Sequence, residues 1–158
     1  MKNAMYFLHG LDSSGNGTKG QFFARNFPQV VRPDFAGSLP ERLKQLTALC
    51  TRHHKLLFIG SSFGGLMATC YAIQHPQQVA RLILLAPALN FADYHPPATQ
   101  LQVPTLVVVG QHDAVTPAAD VTRLAKATFA DLEINIADDD HLLHATFHRL
   151  DWQHLLAG

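Results

Sequence analysis

Apolar residues fall into short runs along the chain, and polar or glycine-rich stretches separate these runs from segments with helical spacing. Runs that are apolar at successive positions are typical of strands buried on both faces of a parallel sheet. They predict six strands, over residues 4–8, 29–34, 55–59, 79–85, 105–109 and 132–137. The second strand is the weakest of the six, because Pro33 falls within it and cannot donate a sheet hydrogen bond.

The segments between the strands have apolar residues three or four positions apart, a spacing that places them on one face of a helix. This pattern predicts helices over residues 18–27, 39–52, 66–75, 117–128 and 142–156. Ser38 and Glu41 match the capping box at the start of the second helix, and Pro76 ends the third. Residues 86–103 lack the helical spacing and contain several prolines, so we predict an irregular connection there.

Strands and helices alternate throughout the sequence, which favours a mostly parallel sheet with helices on both faces. We therefore predict the α/β class, with a three-layer α/β/α sandwich. The length of 158 residues suits one hydrophobic core, and we expect residues 1–158 to form a single domain.

The composition narrows the classes of partner. Hydrophobic residues make up 47% of the chain and charged residues 15%, which favours a compact globular fold over disorder. The formal net charge is zero with histidine neutral, so charge gives no reason to expect a nucleic acid or a membrane as a partner. The ten histidines are scattered and match no metal-binding motif, so we expect neither a metal nor a cofactor.

The cysteines and the N-terminal sequence bear on the cellular compartment. Cys50 and Cys70 each lie in a helical pattern, and two cysteines do not amount to a disulfide framework, which favours a reducing compartment. The apolar run within residues 1–8 is too short for a secretory signal, and no run reaches the length of a membrane span. The sequence therefore predicts a cytoplasmic protein.

The stretch after the third predicted strand carries the strongest chemical signal. Residues 60–64 read Gly-Ser-Ser-Phe-Gly, which matches G-x-S-x-G with Ser62 at its centre, and a helical pattern follows. A nucleophilic serine needs a sharp turn between a strand and a helix, and Gly60 and Gly64 leave room for that turn. Small residues are also common between strands and helices, so the interpretation depends on what else lies nearby. Ser61 is a poorer candidate because it is not centred between the two glycines.

Reactive residues follow three further strands of the predicted sheet. Residues 9–11 (His-Gly-Leu) come directly after the first strand, Asp113 follows the fifth, and His141 follows the sixth. Ligands of parallel α/β sheets bind beyond the carboxyl ends of the strands, and these residues would meet Ser62 at that edge. Such a convergence is more specific than any one of the motifs.

These residues can be given roles in acyl transfer. Ser62 would be the nucleophile, His141 the base that accepts its proton, and Asp113 the carboxylate that orients the imidazole. The backbone N–H groups of Leu11 and Phe63 would stabilise the oxyanion. Four further residues would support the loops that carry these groups: His9, Gly10, Gly60 and Gly64.

Several neighbours could replace one of these residues. His144 lies one helical turn further along and is the alternative base, although a place on the face of the last helix is its simpler role. Asp12 and residues 138–140 could supply a carboxylate. Asp12 is more simply a turn residue, and residues 138–140 are more simply a solvated turn whose charge is favourable at the start of the last helix. His112 adjoins Asp113 and should point away from it at the end of a strand.

The order of the three residues along the chain, serine then aspartate then histidine, resembles the α/β-hydrolase fold family. Residues 7–10 (Phe-Leu-His-Gly) resemble the family's oxyanion loop, and residues 110–117 are similar to its Gly-x-x-Asp-x-x-x-Pro acid loop. Asp140 and His141 stand where the family has its histidine. The opening at residues 9–14 also resembles the short bacterial esterases of the YqiA type and related small hydrolases.

The resemblance implies an α/β-hydrolase fold reduced to about six parallel strands, because the chain starts with the strand that carries the oxyanion loop. Residues 86–103 stand where the family inserts a lid and are too few to form a lid domain. We expect Leu89, Phe91 and Tyr94 of this connection to line one side of a shallow cleft.

The activity that the resemblance implies is hydrolysis of a small-molecule ester or thioester of a short acyl group, through an acyl-enzyme on Ser62 and without a cofactor. A peptidase or an acyltransferase that uses the same three residues is an alternative. A non-catalytic binding protein on this fold is another, because a fold does not fix a function.

Overall fold

The structure is a computed structural model that describes residues 3–157. Met1, Lys2 and Gly158 lie outside this range, and so does part of the segment on which the secretion argument rests. Within residues 3–157, no helix combines the length and the apolar character needed to cross a lipid bilayer.

Six strands form one parallel sheet, as the sequence predicts. They are β1 (Ala4–Leu8), β2 (Val30–Val31), β3 (Leu56–Ser61), β4 (Val79–Leu85), β5 (Thr105–Gly110) and β6 (Leu132–Ala137). Their order across the sheet is β2-β1-β3-β4-β5-β6, and every neighbouring pair is parallel. The direction of progress across the sheet reverses between β1 and β3, and α/β sheets bind their ligands at such a switch point.

Helices cover both faces of this sheet. They are α1 (Thr18–Asn26), α2 (Leu39–Cys50), α3 (Phe63–Gln74), α4 (Ala118–Thr128), α5 (His144–Arg149) and α6 (Trp152–Leu155). The buried residues of α2, α3 and α4 belong to one apolar cluster, and those of α1, α5 and α6 belong to a second. The predicted three-layer sandwich is therefore confirmed.

Successive side chains of the central strands enter opposite layers, as the two-residue period of a strand requires. In β3, Phe58 packs in the cluster that contains α3, whereas Leu57 and Ile59 pack in the cluster that contains α1. All three side chains are buried, and burial stabilises the fold by about 1.5–3 kcal/mol for each such side chain. On the second face the ring centroids of Phe23 and Trp152 lie 5.0 Å apart.

The helix predicted over residues 142–156 is wrong, because the structure divides it into α5 and α6. Leu150 adopts an extended conformation with φ −66° and ψ 141°, which ends α5. Asp151 then begins α6 by accepting a hydrogen bond from the His154 N–H at 3.1 Å. The interruption turns Trp152 back toward the sheet, and its Nε1–H donates to a carbonyl of α5 at 2.8 Å.

The second strand is shorter than predicted, because β2 pairs with β1 over two residues instead of residues 29–34. The proline in this segment has no N–H for the ladder, and the polar groups that follow bond elsewhere. The Asp34 carboxylate accepts a hydrogen bond from the Gly15 N–H at 2.7 Å, and the Phe35 N–H donates to His9 at 2.8 Å. These contacts tie the segment to the loop that follows β1.

Two local predictions are confirmed by the backbone. Ser38 and Glu41 form the capping box of α2, in which each side chain accepts a hydrogen bond from the other residue's N–H. The connection from β4 to β5 is irregular, with a single bridge between Leu101 and Phe129, and it contains no lid domain.

Candidate active site

Ser62 is the single residue between β3 and α3. Its backbone has φ 55° and ψ −115°, a conformation that residues other than glycine rarely adopt and that costs about 1–3 kcal/mol. Neighbouring backbone groups hold the strained turn: the Ser62 N–H donates to the Leu85 carbonyl at 2.9 Å, and the Ser62 carbonyl accepts from the Ala88 N–H at 3.0 Å. The turn places the hydroxyl group beyond the carboxyl end of the central strand.

The paired glycines of the motif are required by close backbone approach. A Cβ atom on Gly60 would lie 2.5 Å from the Gly64 carbonyl oxygen. A Cβ atom on Gly64 would collide with the backbone carbonyl group of Leu8, at the end of β1. The two glycines therefore let the turn close and let α3 begin directly against β1.

The structure brings together the three side chains that the sequence singles out. Ser62 Oγ lies 3.0 Å from His141 Nε2, and His141 Nδ1 lies 2.8 Å from Asp113 Oδ2. The Asp113 side chain has no exposed surface, whereas the His141 ring is 21% exposed. With the Nδ1–H donating to the carboxylate, Nε2 is left to accept the serine proton. His144, the alternative base, makes no hydrogen bond to Ser62 within the described residues.

Asp113 is surrounded by hydrogen-bond donors. Its Oδ1 accepts from the N–H groups of Val115 at 2.8 Å and Thr116 at 2.7 Å, and its Oδ2 accepts from Thr116 Oγ1 at 2.7 Å in addition to His141. Burial acts to raise the pKa of the Asp113 carboxyl, but the combined hydrogen bonds outweigh burial and hold the pKa below its usual value. The carboxylate is thereby kept ionised beside the imidazole.

Thr116 is a site residue that the sequence reasoning missed. It is 1% exposed, and its Oγ1 lies 3.2 Å from His141 Nδ1 as well as 2.7 Å from the Asp113 carboxylate. The only signal in the sequence is its position three residues after the aspartate, a spacing at which side chains and backbone commonly bond in turns.

Asp139 does more than the sequence predicts, which is a solvated turn and a favourable charge at the start of the last helix. Its Oδ2 accepts from the N–H of Thr146 at 3.0 Å and from the Thr146 hydroxyl at 2.8 Å, and its carbonyl accepts from the His112 N–H at 3.0 Å. Burial acts to raise the pKa of the Asp139 carboxyl, but these side-chain bonds outweigh it and lower the pKa. Asp139 thus caps the first turn of α5 and anchors the loop that carries His141.

The other two aspartates of this loop differ from Asp139. Asp138 pairs with His112 Nε2 at 2.8 Å, but both side chains are largely exposed, so the pair contributes little. The Asp140 side chain accepts only from the N–H of Leu142 at 3.0 Å. His112 therefore bonds away from Asp113, as predicted, and neither aspartate reaches His141.

Two backbone N–H groups near Ser62 are the candidate oxyanion donors. Phe63 is the first residue of α3, so its N–H has no acceptor within the helix. Within residues 3–157, neither the Phe63 N–H nor the Leu11 N–H donates to a protein acceptor. The loop of Leu11 lies against the serine, since a Cβ atom on Gly10 would be 3.6 Å from the Ser62 Cβ. Both predicted donors thus lie beside the predicted nucleophile.

His9 fixes the orientation of the Leu11 N–H. It is 1% exposed, its Nε2 accepts from the Phe35 N–H at 2.8 Å, and its Nδ1 lies 2.6 Å from the Gly10 carbonyl oxygen. Because a backbone N–H can only donate, Nε2 must be the unprotonated nitrogen and the Nδ1–H donates to Gly10. The Gly10 carbonyl and the Leu11 N–H belong to one trans peptide and point in opposite directions. Because His9 Nδ1–H binds the Gly10 carbonyl, the Leu11 N–H points away from the His9 ring.

A cleft of about 1040 Å³ opens over Ser62 and His141. Its apolar wall includes Leu11, Leu39, Phe63, Phe91, Val115 and Leu142, and its polar wall includes Asp12, Ser13, Lys19, Asp93 and His144. Burial lowers the pKa of Lys19, whose Nζ donates to the Leu142 carbonyl at 2.7 Å. Residues 3–157 contain no group of three metal-ligating side chains.

The residues that line the cleft differ in part from those predicted from the sequence. Of the three residues of the β4–β5 connection that were expected to line it, only Phe91 does. Leu89 and Tyr94 are buried in the core, and the Tyr94 hydroxyl lies 2.6 Å from Thr128 Oγ1. Residues 37–40 and the loop after β1 supply walls instead, because the segments that connect β1 to α2 fold over the switch point.

Comparison with known proteins gives the following matches. A family model described as alpha/beta hydrolase fold matches residues 6–96, which is more than half of the chain and includes Ser62 and both candidate oxyanion donors. No curated protein matches the chain in sequence.

Solved structures resemble the whole chain. A Xanthomonas campestris protein described as a hydrolase of the alpha/beta superfamily has a TM-score of 0.78 at 25% identity, over 93% of this chain and 92% of that one. A hydrolase-named protein from Agrobacterium vitis has a TM-score of 0.78 at 18% identity, over 100% and 91% of the two chains. A thermophilic esterase from Thermogutta terrifontis, solved with malate bound, has a TM-score of 0.75 at 17% identity, over 100% and 92%.

Proposed function

The chain belongs to the alpha/beta hydrolase fold family, and on this basis we propose that it is a serine hydrolase that cleaves carboxylic esters or thioesters of short acyl groups. The observation that carries the proposal is the hydrogen-bonded series from Ser62 Oγ through His141 to Asp113 on a strained turn. Structural neighbours that are named hydrolases and esterases support the same class of reaction.

In the first half of the proposed reaction, Ser62 Oγ attacks the carbonyl carbon of the ester while His141 Nε2 takes the hydroxyl proton. The carbonyl oxygen becomes an oxyanion, which the N–H groups of Leu11 and Phe63 stabilise. The tetrahedral intermediate then collapses: the bond to the leaving group breaks, and the imidazolium returns its proton to the departing alcohol or thiol. The product of this half is an acyl-enzyme on Ser62.

In the second half, a water molecule replaces the leaving group. His141 Nε2 accepts one proton of this water as its oxygen attacks the acyl carbon, and the same two N–H groups receive the second oxyanion. Collapse of this intermediate returns the proton to Ser62 Oγ and releases the carboxylic acid. Asp113 remains ionised throughout and stabilises the imidazolium that forms in each half.

The proposal is tested by covalent labelling and ester kinetics. A fluorophosphonate probe should label the wild-type protein and Ser61→Ala, but should not label Ser62→Ala. Hydrolysis of p-nitrophenyl butyrate should fall by about 10³-fold or more in Ser62→Ala, because the three residues act as a unit. If the probe did not label the wild-type protein, a non-catalytic binding protein would be favoured. If labelling persisted in Ser62→Ala, another residue would be the nucleophile.

A further inference from the structure

Arg42, on α2, is a buried cation that has no acidic partner among the residues that the structure describes. The residue is 5% exposed, and its Nε–H donates to the Gly37 carbonyl at 2.9 Å. Its Nη1 is buried and has no hydrogen-bond partner within residues 3–157. Among residues 3–157, no Asp or Glu carboxylate lies within salt-bridge distance of the guanidinium. The adjacent carboxylate, Glu41, bonds instead to the Ser38 N–H at 3.1 Å.

An arrangement of this kind costs stability, because a buried charge has lost its water and has gained no opposite charge in return. Proteins tend to keep such violations of local rules at functional sites. The position of Arg42 relative to the Ser62 turn is therefore informative.

The guanidinium lies against the residue that follows the proposed nucleophile. Arg42 Cζ is 5.3 Å from the centroid of the Phe63 ring, within the range of a cation–π contact. The Phe63 ring also lies 5.7 Å from the ring of Phe91 in the wall of the cleft. Arg42 thus contacts the side chain of the residue whose N–H is one of the two candidate oxyanion donors.

We propose that Arg42 is a positioning residue for acyl transfer at Ser62: it holds Phe63 in place and adds a positive charge that stabilises the tetrahedral oxyanion. The proposal rests on the proposed serine hydrolase function. Coulomb attraction extends further in the protein interior than in water, because the effective dielectric constant is lower. The bound ester is neutral and the intermediate is anionic, so the charge should act on kcat and leave KM nearly unchanged.

A purely structural role for Arg42 makes a different prediction. If Arg42 served only to tie α2 to the carbonyl of Gly37, its replacement would lower thermal stability, and activity would fall with it. The proposed role instead predicts that activity and stability separate. Removal of an unpartnered buried charge should leave the melting temperature unchanged or raise it, while kcat falls.

The experiment compares Arg42→Met, which keeps an apolar stem, with Arg42→Lys, which keeps the charge. Arg25→Met is the matched control, because it removes one positive charge from the exposed end of α1. For each variant we would measure the melting temperature, kcat and KM for p-nitrophenyl butyrate, and the affinity for butaneboronic acid. The Ser62 oxygen adds to boron while its proton passes to His141 Nε2, so the resulting tetrahedral adduct is anionic like the intermediate.

For Arg42→Met we expect kcat to fall about tenfold and boronate binding to weaken by about the same factor, with KM within about twofold of the wild type. Arg42→Lys should retain both quantities within about threefold, and Arg25→Met should match the wild type. Wild-type kcat and boronate affinity in Arg42→Met would overturn the proposal, and so would a loss of kcat that accompanies a lower melting temperature.

The two proposals fail in distinguishable ways. Wild-type hydrolysis that is lost in Ser62→Ala supports the hydrolase function whatever the Arg42 variants show. If that result holds and Arg42→Met is unaffected, only the role of Arg42 is overturned. Absence of both turnover and boronate binding in the wild-type protein would overturn the hydrolase function and the role of Arg42 together.

Discussion

The Thr116 hydroxyl donates a 2.7 Å hydrogen bond to Asp113 Oδ2, the same carboxylate oxygen that lies 2.8 Å from His141 Nδ1. Asp113 Oδ2 is therefore held between two donors, while its Oδ1 is held by two backbone N–H groups. Four hydrogen bonds leave the carboxylate little freedom to rotate, so its orientation toward the imidazole is set by the loop after β5.

Replacement of Thr116 by valine should reduce kcat by about tenfold, because a side chain of similar shape then leaves Oδ2 with one donor fewer. KM should change little, because Thr116 is almost wholly buried. Steady-state kinetics on p-nitrophenyl butyrate would measure both constants. Thr116→Ser keeps the hydroxyl and should retain most of the activity. If the valine variant were as active as the serine variant, the hydroxyl would have no part in orienting Asp113.

The stability of the protein should depend on pH through Asp113. Because the folded-state pKa of this carboxyl is lowered, the carboxylate contributes stability that is fully present above the unfolded-state pKa. That contribution is lost as the pH falls through the lowered folded-state value. Urea unfolding of wild type and Thr116→Val at several pH values would detect it. The difference in unfolding free energy between the two proteins should shrink as the pH falls below about 4, the unfolded-state pKa of an aspartate, and a constant difference would contradict the assignment.

Asp139→Ala should reduce both stability and activity, in contrast to Asp138→Ala. The Asp139 carboxylate caps α5, and loss of a cap typically costs about 1 kcal/mol of unfolding free energy. The same bonds hold the loop that carries His141, so kcat should fall several-fold as well. Thermal unfolding and ester kinetics would measure the two effects. Equal, negligible effects in Asp138→Ala and Asp139→Ala would show that the loop is held by its backbone alone.

The local parts of this structure could be predicted from the sequence. Gly60 and Gly64 indicate the geometry of one turn, and Ser38 and Glu41 indicate the start of one helix. A sequence pattern of a few residues is sufficient to predict each of these features. The fold class could be predicted for the same reason, because the spacing of apolar residues that distinguishes strands from helices is visible within a few residues.

The parts that could not be predicted depend on contacts between distant loops. The sequence predicts a favourable charge at the start of the last helix but does not single out Asp139, because its role depends on Thr146, seven residues away, and on His112 from the previous strand's loop. The break at Leu150 has a similar explanation: the helical spacing continues through it, and the contact between Trp152 and Phe23 of α1 that accompanies the interruption joins residues far apart in the sequence.

His141→Ala should reduce kcat by about as much as Ser62→Ala, whereas His144→Ala should have a small effect. The reason is geometric: His141 Nε2 lies within hydrogen-bond distance of the serine hydroxyl, and His144 only lines the cleft. Burst and steady-state kinetics on p-nitrophenyl butyrate would compare the three variants. A larger loss in His144→Ala would require the base to be reassigned.

The apolar wall of the cleft bears on the length of acyl chain that the protein accepts. The sequence predicts a shallow cleft and activity on esters of short acyl groups. In the structure, Phe63 and Phe91 form a continuous aromatic surface, with ring centroids 5.7 Å apart, beside the serine. An acyl chain of a few carbons could lie along this surface. Beyond it, residues 3–157 form no lid over the cleft, so a longer acyl chain would stay in water.

We therefore expect the specificity constant for p-nitrophenyl esters to rise from acetate to about hexanoate and then to level off. Each buried methylene contributes about 0.8 kcal/mol, or a factor of about four in kcat/KM, and methylenes left in water contribute little. Phe91→Ala should remove most of the gain for butyrate and hexanoate while changing acetate little, because acetate does not reach that ring. Activity should also show no jump when the substrate forms an interface, since there is no lid to open. A specificity constant that rises steadily to long-chain esters would mean that the cleft buries more of the acyl chain than this aromatic surface can cover. A specificity constant that declines from acetate onward would instead support the shallow cleft that the sequence predicts.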